Sequence, residues 1–302
     1  MTEFLEGVDK TITRRQFLNT ASFTVGALHY FSYCLLEEKE NGKPAIGLCG
    51  VWANAELAKN AGCAYIEAGV AKVLMPSYSD AEFKKQFEDL SLRRPLPAEC
   101  FNVFLPRELK SVGVQANHEG IIQYASVAFK RAEIVGAKII VFGSGGSRTI
   151  PDGFDRTKAK EQFIALCQAL APLAARHKIT LAVEQLNHEE TNFINTMHES
   201  AEIVDAVHHP NLKMICDIYH ALKENDPASE ILRYQEHLVH CHIAEKKDRT
   251  PPGVNGEDFT AYLSALKKIN YKRRVSLECN WKNLKVELPL AVKVLQQQYE
   301  NA

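Results

Sequence analysis

Four residues of types that commonly bind metal ions stand at the ends of apolar runs in the second half of the chain. They are Glu184 in LAVEQ, Asp217 in MICDI, His242 in HCHIA and Glu278 in VSLEC. Successive members are 33, 25 and 36 residues apart. One such carboxylate alone is more often a helix N-cap or a hydrogen-bond partner for a loop. Four of these groups at similar spacing predict side chains that converge on one point.

Convergence of these side chains would require a cation. Three carboxylates in a small space repel one another and raise each other's pKa values, and a buried carboxylate without a partner costs several kcal/mol. A divalent ion removes this conflict. Three carboxylates and one imidazole form an oxygen-rich group that suits Mn²⁺, with Mg²⁺ or Co²⁺ as alternatives and with water or substrate completing the shell. We therefore predict a metal site formed by Glu184, Asp217, His242 and Glu278.

The elements that must position these residues are visible in the hydrophobic pattern. From residue 45 onward, short apolar segments alternate with helical segments eight times in roughly 260 residues. This alternation predicts a parallel sheet covered by helices, and eight units of this size are typical of a (β/α)₈ TIM barrel. We predict an α/β fold of this class in a single domain. Such a barrel has its active site at the carboxyl ends of the strands, where the four residues lie.

An open doubly wound sheet is the alternative fold. It would be expected to carry a glycine fingerprint after its first strand, and the segment GLCGVWAN does not match G-x-G-x-x-G. The only glycine-rich loop, residues 143–148, follows the fourth strand and has Arg148 where a third glycine should stand. We interpret this segment as a flexible barrel loop and not as a nucleotide cradle.

The N-terminal segment TRRQFLNTASFTVGAL resembles a twin-arginine export signal, because Arg14 and Arg15 precede a Phe-Leu pair and an apolar stretch. We predict that residues 1–42 form a leader and linker, that residues 43–302 form the barrel domain, and that the protein is exported to the periplasm. Acidic residues before the arginines and the lack of a small-x-small cleavage site favour the alternative, an amphipathic N-terminal helix of a cytoplasmic protein.

The composition of the chain limits the kinds of partner that the protein is expected to bind. The chain has 36 Lys and Arg residues against 37 Asp and Glu residues, a formal charge of -1, which argues against a nucleic-acid partner. No stretch after the leader is long and apolar enough to span a membrane. The eight cysteines are scattered and form no C-x-x-C pair, so we predict small buried residues and not disulfides or a zinc site. A homo-oligomer is compatible with the sequence.

The segments LAVEQLNHEETNF, CDIYH, HCHIAE with a following arginine, and LEC resemble the xylose-isomerase-like barrels. The likeness covers about residues 45–300 and points to the sugar isomerase and 3-epimerase branch, with its ketose 3-epimerases and hydroxypyruvate isomerase. It implies that Glu184 and Glu278 are also the acid–base pair on opposite faces of the substrate carbon. Asp217 and His242 would be metal ligands only. The resemblance further implies substrate contacts by Glu190, His220 and Arg249.

Two departures from the family pattern lie on the substrate side. His188 follows Asn187 where the epimerases usually have arginine, and Arg249 stands seven residues after His242 where the epimerases have it six residues on. These differences leave the substrate and the reaction subtype open.

Weaker candidates come from the other strands. Glu67 and Asn102 end the second and third strands and could contact substrate or cap loops. His240 points the same way as His242 along its strand and could contact substrate or support the site. We include Glu67 and His240 among the predicted substrate-binding residues.

The resulting hypothesis is a divalent-metal-dependent isomerase or epimerase that acts on a small carbohydrate, a ketose or keto-sugar, through an enediolate. The alternative is a lyase or dehydratase, which would remove the same proton from an oxidised sugar or cyclitol and then expel a substituent. An endonuclease of the superfamily would need several zinc ions and extra histidines on early strands, which here end in Glu67 and Asn102. A non-catalytic sugar-binding protein would be favoured by loss of one ligand, and none is lost.

Overall fold

The computed structural model of the protein describes residues 42–91 and 95–302. Of the predicted leader, only Gly42 belongs to the described residues. The export signal, the alternative N-terminal helix and the boundary between leader and barrel therefore remain predictions.

Eight parallel strands form a closed barrel in the order of the sequence. They are β1 Ala45–Cys49, β2 Tyr65–Gly69, β3 Ala98–Asn102, β4 Ile139–Phe142, β5 Thr180–Val183, β6 Leu212–Asp217, β7 Leu238–Ile243 and β8 Arg274–Leu277. Strand β1 pairs in parallel with both β2 and β8, which closes the sheet. The predicted (β/α)₈ barrel is confirmed.

Helices follow the strands and cover the outside of the barrel. They are α1 Ala55–Asn60, α2 Val70–Val73, α3 Asp80–Ser91, α4 His118–Val135, α5 Gly145–Arg148, α6 Arg156–Arg176, α7 Met197–Val207, α8 Ile218–Glu224, α9 Ser229–Arg233, α10 Thr260–Lys268 and α11 Leu284–Asn301. Side-chain oxygens of Asn117, Asp155 and Thr196 each accept a hydrogen bond from the backbone N–H three residues later, which starts α4, α6 and α7. None of the described helices is long and apolar enough to cross a membrane.

The interior of the barrel is filled below the carboxyl ends of the strands. Apolar side chains from six strands pack there, namely Tyr65, Cys100, Ile139, Val141, Ala182, Ile215 and Val239. Gly47 faces this layer, and a Cβ at that position would lie 2.2 Å from the Tyr65 ring. A packed layer of this kind closes the barrel as a core. The polar residues at the strand ends therefore lie above this layer, toward the carboxyl rim.

The cysteines behave as small apolar residues in the described part of the chain. Their seven thiols are free, and five of them are buried, at positions Cys63, Cys100, Cys167, Cys216 and Cys241. The prediction that the cysteines are small buried residues is confirmed for these five.

Candidate functional site

The carboxyl ends of β5 to β8 bring the four predicted ligands together. Glu184, Asp217, His242 and Glu278 each offer one atom, and these atoms lie within 4.8 Å of one another. His242 Nδ1 is 2.9 Å from both Glu184 Oε1 and Glu278 Oε2. Asp217 Oδ2 lies 3.7 Å from the same nitrogen. The four side chains thus face one small volume.

The donor set fits a divalent ion. Two ligand atoms at right angles around an ion about 2.1 Å from each are ~3 Å apart, close to the 2.9 Å separations here. Asp217 Oδ2 is buried and has no hydrogen-bond partner among the described residues. An anionic oxygen in such a place needs a compensating partner, and a shared cation would supply it.

Asp217 has two separate tasks because β6 runs directly into α8. Its Oδ1 accepts a hydrogen bond from the backbone N–H of His220 and caps the helix. Its Oδ2 faces the ligand group. Burial alone would raise the pKa of this carboxyl, but the facing His220, His242 and Arg249 side chains lower it below its ordinary value. One oxygen of Asp217 thus caps the helix, while the other remains free for the predicted metal ion.

Glu184 occupies space that Gly143 leaves free. A Cβ on Gly143, just after β4, would lie 2.0 Å from Glu184 Oε2. Burial, and to a smaller extent the Glu278 and Asp217 carboxylates, raise the pKa of Glu184 above its usual value, although His242 opposes this. A glycine at this strand end is therefore a condition for the position of the glutamate.

The segment after β4 is not the predicted flexible loop. Gly145–Arg148 forms the one-turn helix α5, and the Arg148 side chain is fully buried. Its guanidinium donates to the carbonyl oxygens of Phe142, at 3.0 Å, and Glu184, at 2.6 Å. The prediction is wrong here because the arginine anchors the segment to the ends of β4 and β5.

Glu278 is held from two sides. Its Oε1 accepts a hydrogen bond from Asn102 Nδ2 at 2.9 Å, and its Oε2 accepts one from Arg249 Nη2 at 2.6 Å. Burial would raise its pKa, but His242 and Arg249 bring it below the ordinary value. The pKa values of Glu278 and Glu184 are therefore displaced in opposite directions.

A buried carboxylate lies behind the His242 ring. Glu67 Oε1 accepts from His242 Nε2 at 2.9 Å, while Oε2 accepts from His240 Nε2 at 2.8 Å and from the Ser276 hydroxyl at 2.6 Å. Burial would raise the pKa of Glu67, but the two histidines hold it well below its usual range. Glu67 is thus ionised and surrounded by donors.

These contacts decide which His242 nitrogen can bind an ion. Because Nε2 donates its proton to Glu67, Nδ1 is the nitrogen that faces the three ligand carboxylates. Burial would lower the pKa of His242, but Glu67 and Glu278 raise it well above the usual value. An ion bound at Nδ1 would displace a proton from that nitrogen only. Glu67 and His240, predicted as substrate contacts, thus lie behind the His242 ring, where Glu67 bonds to both histidines.

The other predicted substrate residues line the open side of the site. Arg249 Nη1 lies 3.2 Å from Glu190 Oε1. His220 Nδ1 accepts a hydrogen bond from the backbone N–H of Asn187 at 3.0 Å, so the ring proton is on Nε2. His220 Nε2 is buried and has no hydrogen-bond partner among the described residues. It lies 3.5 Å from Asp217 Oδ2 and is a donor available to a substrate oxygen.

The two departures from the family pattern have different structural outcomes. The backbone N–H and Nδ1 of His188 both bond to the Glu224 carboxylate, at 2.8 and 2.6 Å, so this side chain is tied to α8. Arg249 has a left-handed backbone, with φ of 52°, and still reaches Glu278. The extra residue before Arg249 thus does not prevent the guanidinium from reaching Glu278.

Glu245 holds the loop that carries Arg249, and the sequence pattern did not reveal it. Its buried carboxylate accepts hydrogen bonds from the backbone N–H groups of Gly253, at 2.8 Å, and Asn255, at 2.6 Å, and from the Thr250 hydroxyl at 2.8 Å. Burial would raise the pKa of Glu245, but these donors lower it. The only signal was an acid immediately after HCHIA.

The chain matches the family model described as "Xylose isomerase-like TIM barrel" over residues 55–298. It is 32% identical over 137 residues to the L-ribulose 3-epimerase of Methylomonas sp. (strain DH-1), which covers 40% of this chain and 48% of that protein. It is 28% identical over 138 residues to a putative hydroxypyruvate isomerase of Mus musculus, which covers 43% and 50%. The match thus spans about half the length of these relatives.

A solved structure shares the architecture. The D-allulose 3-epimerase from Methylomonas sp. in complex with D-allulose superposes with a TM-score of 0.70, at 23% identity, over 85% of this chain and 98% of that chain. At this identity the likeness is evidence for the fold alone.

Proposed function

The chain belongs to the xylose isomerase-like TIM barrel family, and on that premise we propose that it is a divalent-metal-dependent isomerase or epimerase of a ketose or keto-sugar. The convergence of Glu184, Asp217, His242 and Glu278 at one rim of the barrel carries the proposal. The names of the relatives, an L-ribulose 3-epimerase and a putative hydroxypyruvate isomerase, support the reaction class. Mn²⁺ is the ion we propose, because oxygen ligands dominate the set.

The two glutamates are suited to moving a proton. A bound divalent ion would polarise the substrate carbonyl and the neighbouring hydroxyl. Glu184 and Glu278 come from β5 and β8, and one of them removes the proton beside the carbonyl to give an enediolate. Return of a proton to the opposite face of the same carbon gives an epimer. Return to the neighbouring carbon gives an aldose–ketose isomer.

The open side of the site provides groups that orient the sugar. The His220 Nε2–H and the Arg249 guanidinium are donors for the carbonyl and hydroxyl oxygens. Glu190, 3.2 Å from Arg249 Nη1, keeps that guanidinium at the mouth of the site and offers an acceptor for a hydroxyl. Together they fix which carbon lies between the two glutamates.

Proton abstraction can be tested with labelled hydrogen. In deuterated water, turnover of a ketose should place deuterium beside the carbonyl, and Glu184→Gln or Glu278→Gln should abolish the exchange. Glu189→Gln is the matched control, since Glu189 is an exposed partner of Lys223. A substrate deuterated at this carbon covers the case of a shielded proton. Absence of both label washout and a primary isotope effect on the chemical step would refute the mechanism.

Analysis of the product distinguishes the proposed isomerisation or epimerisation from the alternative lyase or dehydratase reaction. A lyase or dehydratase would show the same dependence on the two glutamates, but the product would have lost a substituent. A panel of ketoses, keto-glycosides and inosose-type substrates with added Mn²⁺, followed by NMR, distinguishes an epimer, an isomer and an elimination product.

We also propose export through the twin-arginine route, on the sequence around Arg14 and Arg15 alone. A reporter fused after about residue 45 should appear in the periplasm, and changing both arginines to lysine should retain it in the cytoplasm. Export of the double-lysine variant at the original level would contradict the proposal.

A further inference from the structure

A second cavity lies on the same rim of the barrel, between the loops that follow β7 and β8. Its volume is about 380 Å³. The residues that line it include Lys247, Asp248, Asn280, Trp281 and Lys282. The catalytic groups proposed above do not line it. Its volume is within the range of about 300–1,000 Å³ typical of small-molecule sites.

Hydrogen bonds connect residues that line this cavity to residues of the candidate active site. The backbone N–H of Asn280 donates to the Arg249 carbonyl at 2.7 Å, and Asn280 Nδ2 donates to the Asp248 carbonyl at 3.0 Å. Arg249 in turn bonds to the Glu278 carboxylate. Asn280 is two residues beyond Glu278, a span of roughly 7 Å in extended chain. An occupant of the cavity would therefore lie close to a sugar held at Glu278.

Several recognition groups in the cavity are unused. Trp281 Nε1 is buried and has no hydrogen-bond partner among the described residues. The side chains of Lys247, Asp248 and Lys282 take part in no ion pair within the part of the chain that the structure describes. A buried N–H without a partner carries a desolvation penalty. The charged groups have both signs, which does not favour a purely anionic ligand.

The chemistry of these groups matches a sugar ring. The half-buried Trp281 indole offers an apolar face, and Val254, 41% exposed, adds a further apolar lining. The amide, ammonium and carboxylate groups around it supply the donors and acceptors that hydroxyl groups require. We propose that this cavity is a subsite for a neutral glycosyl unit, so that the metal site acts on a keto-glycoside in preference to a free ketose. This inference rests on the proposed function.

The subsite can be tested without turnover. Maltose and cellobiose have no ketone to react, and calorimetric titration of the Mn²⁺-loaded full chain should show saturable binding of at least one of them. Trp281→Ala and Lys282→Ala should weaken that binding at least tenfold. Lys285→Ala is the matched control, because this neighbouring lysine does not line the cavity. Metal content and thermal unfolding of each variant verify that the fold is retained.

Turnover gives the second readout. The ratio of kcat/KM for the 3-keto form of the bound disaccharide to that for a free ketose should fall at least tenfold in Trp281→Ala. Binding of neither disaccharide, an unchanged ratio, or tighter binding of glucuronate or phosphate than of the disaccharide would overturn the subsite. If disaccharide binding depends on Trp281 but the wild-type chain exchanges hydrogen with no substrate, the subsite stands and the proposed reaction fails.

Discussion

The last four strands and the first four end in residues of different kinds, although all eight meet at one rim. Strands β5 to β8 end at the candidate metal ligands. At or near the carboxyl ends of β1 to β4 lie Cys49, Glu67, Asn102 and Gly143. Three of these contact a ligand: Glu67 bonds to His242, Asn102 bonds to Glu278, and Gly143 leaves room for Glu184.

On the proposed assignment, β5 to β8 carry the metal-binding groups and β1 to β4 set the positions of these groups. The supporting half adds only one buried acid to a group that already has three carboxylates. Glu67 is tolerated because three donors surround it. If the two halves divide these tasks, substitutions in the ligand half, β5 to β8, should remove the ion. Substitutions in the supporting half, β1 to β4, should weaken binding of the ion or slow catalysis.

The largest effect should come from the ligands themselves. The double variant Asp217→Asn, His242→Ala removes one charged and one neutral ligand, so the remaining two glutamates should not retain an ion. Elemental analysis of the purified chain should show metal far below one equivalent, and activity should be lost. A stoichiometric metal in this variant would contradict the assignment of the site.

The next effect should come from Gly143→Ala. The added Cβ would lie 2.0 Å from Glu184 Oε2, so the glutamate must move. A misplacement of about 1 Å can cost on the order of 10²-fold in rate, and we expect kcat to fall by about that factor. Gly50→Ala is the control, since its Cβ would meet only Leu48 at 3.9 Å. Equal kcat values for the two variants would contradict the claim that the space beside Gly143 positions Glu184 for catalysis.

Glu67→Gln tests the support of His242. A Gln side chain keeps the shape but replaces one acceptor oxygen by an NH₂ group that cannot accept from the surrounding donors. Loss of such a partner of a ligating histidine typically costs ~10–100-fold in metal affinity. Calorimetry with Mn²⁺ should show this loss, and the absorption spectrum of the Co²⁺-substituted chain should change. Unaltered affinity and spectrum would mean that Glu67 serves only the packing of the barrel.

The ligand half was predictable from the sequence for a physical reason. Acids and histidines directly after apolar strands are rare enough to stand out, and the (β/α)₈ repeat brings successive strand ends together. Asp217 and His242 could thus be placed at the carboxyl rim without knowing their neighbours. The fold followed from the same alternation of apolar strands and helices.

The supporting half could not be read in this way, because its residues act across the barrel. Gly143 matters only because Glu184 fills the space beside it, and Glu67 reaches His242 from 175 positions away in sequence. The role of Arg148 depends on two carbonyl groups that become neighbours only after the strands pair. Residue type and spacing along the chain contain none of this information.

Glu245 belongs to the ligand half but acts as a support, and the smallest effect is expected there. Its carboxylate holds the loop of residues 246–258, including Arg249, through donors that lower its pKa. A lowered pKa in the folded state means that the ionised carboxylate stabilises the loop at pH 7. This contribution should be lost as the pH falls below the ordinary value of 4.5 and through the lowered pKa.

Glu245→Gln should reproduce this loss at every pH. Because other hydrogen bonds also hold the loop, and Arg249 retains its bond to Glu278, we expect KM to rise by roughly 3–10-fold while kcat changes less. Amide hydrogen exchange of the loop, corrected for pH, should be faster in the variant at pH 7, and its protection should no longer decline between pH 5 and pH 3. Glu257→Gln is the control, since Glu257 is a partly exposed acid of the same loop that accepts from the Lys246 N–H. Equal protection of the loop amides in the two variants at pH 7 would show that Glu278 and Glu190 alone position Arg249. The candidate ligands would then belong to β5 to β8, and the residues that support them would belong to β1 to β4.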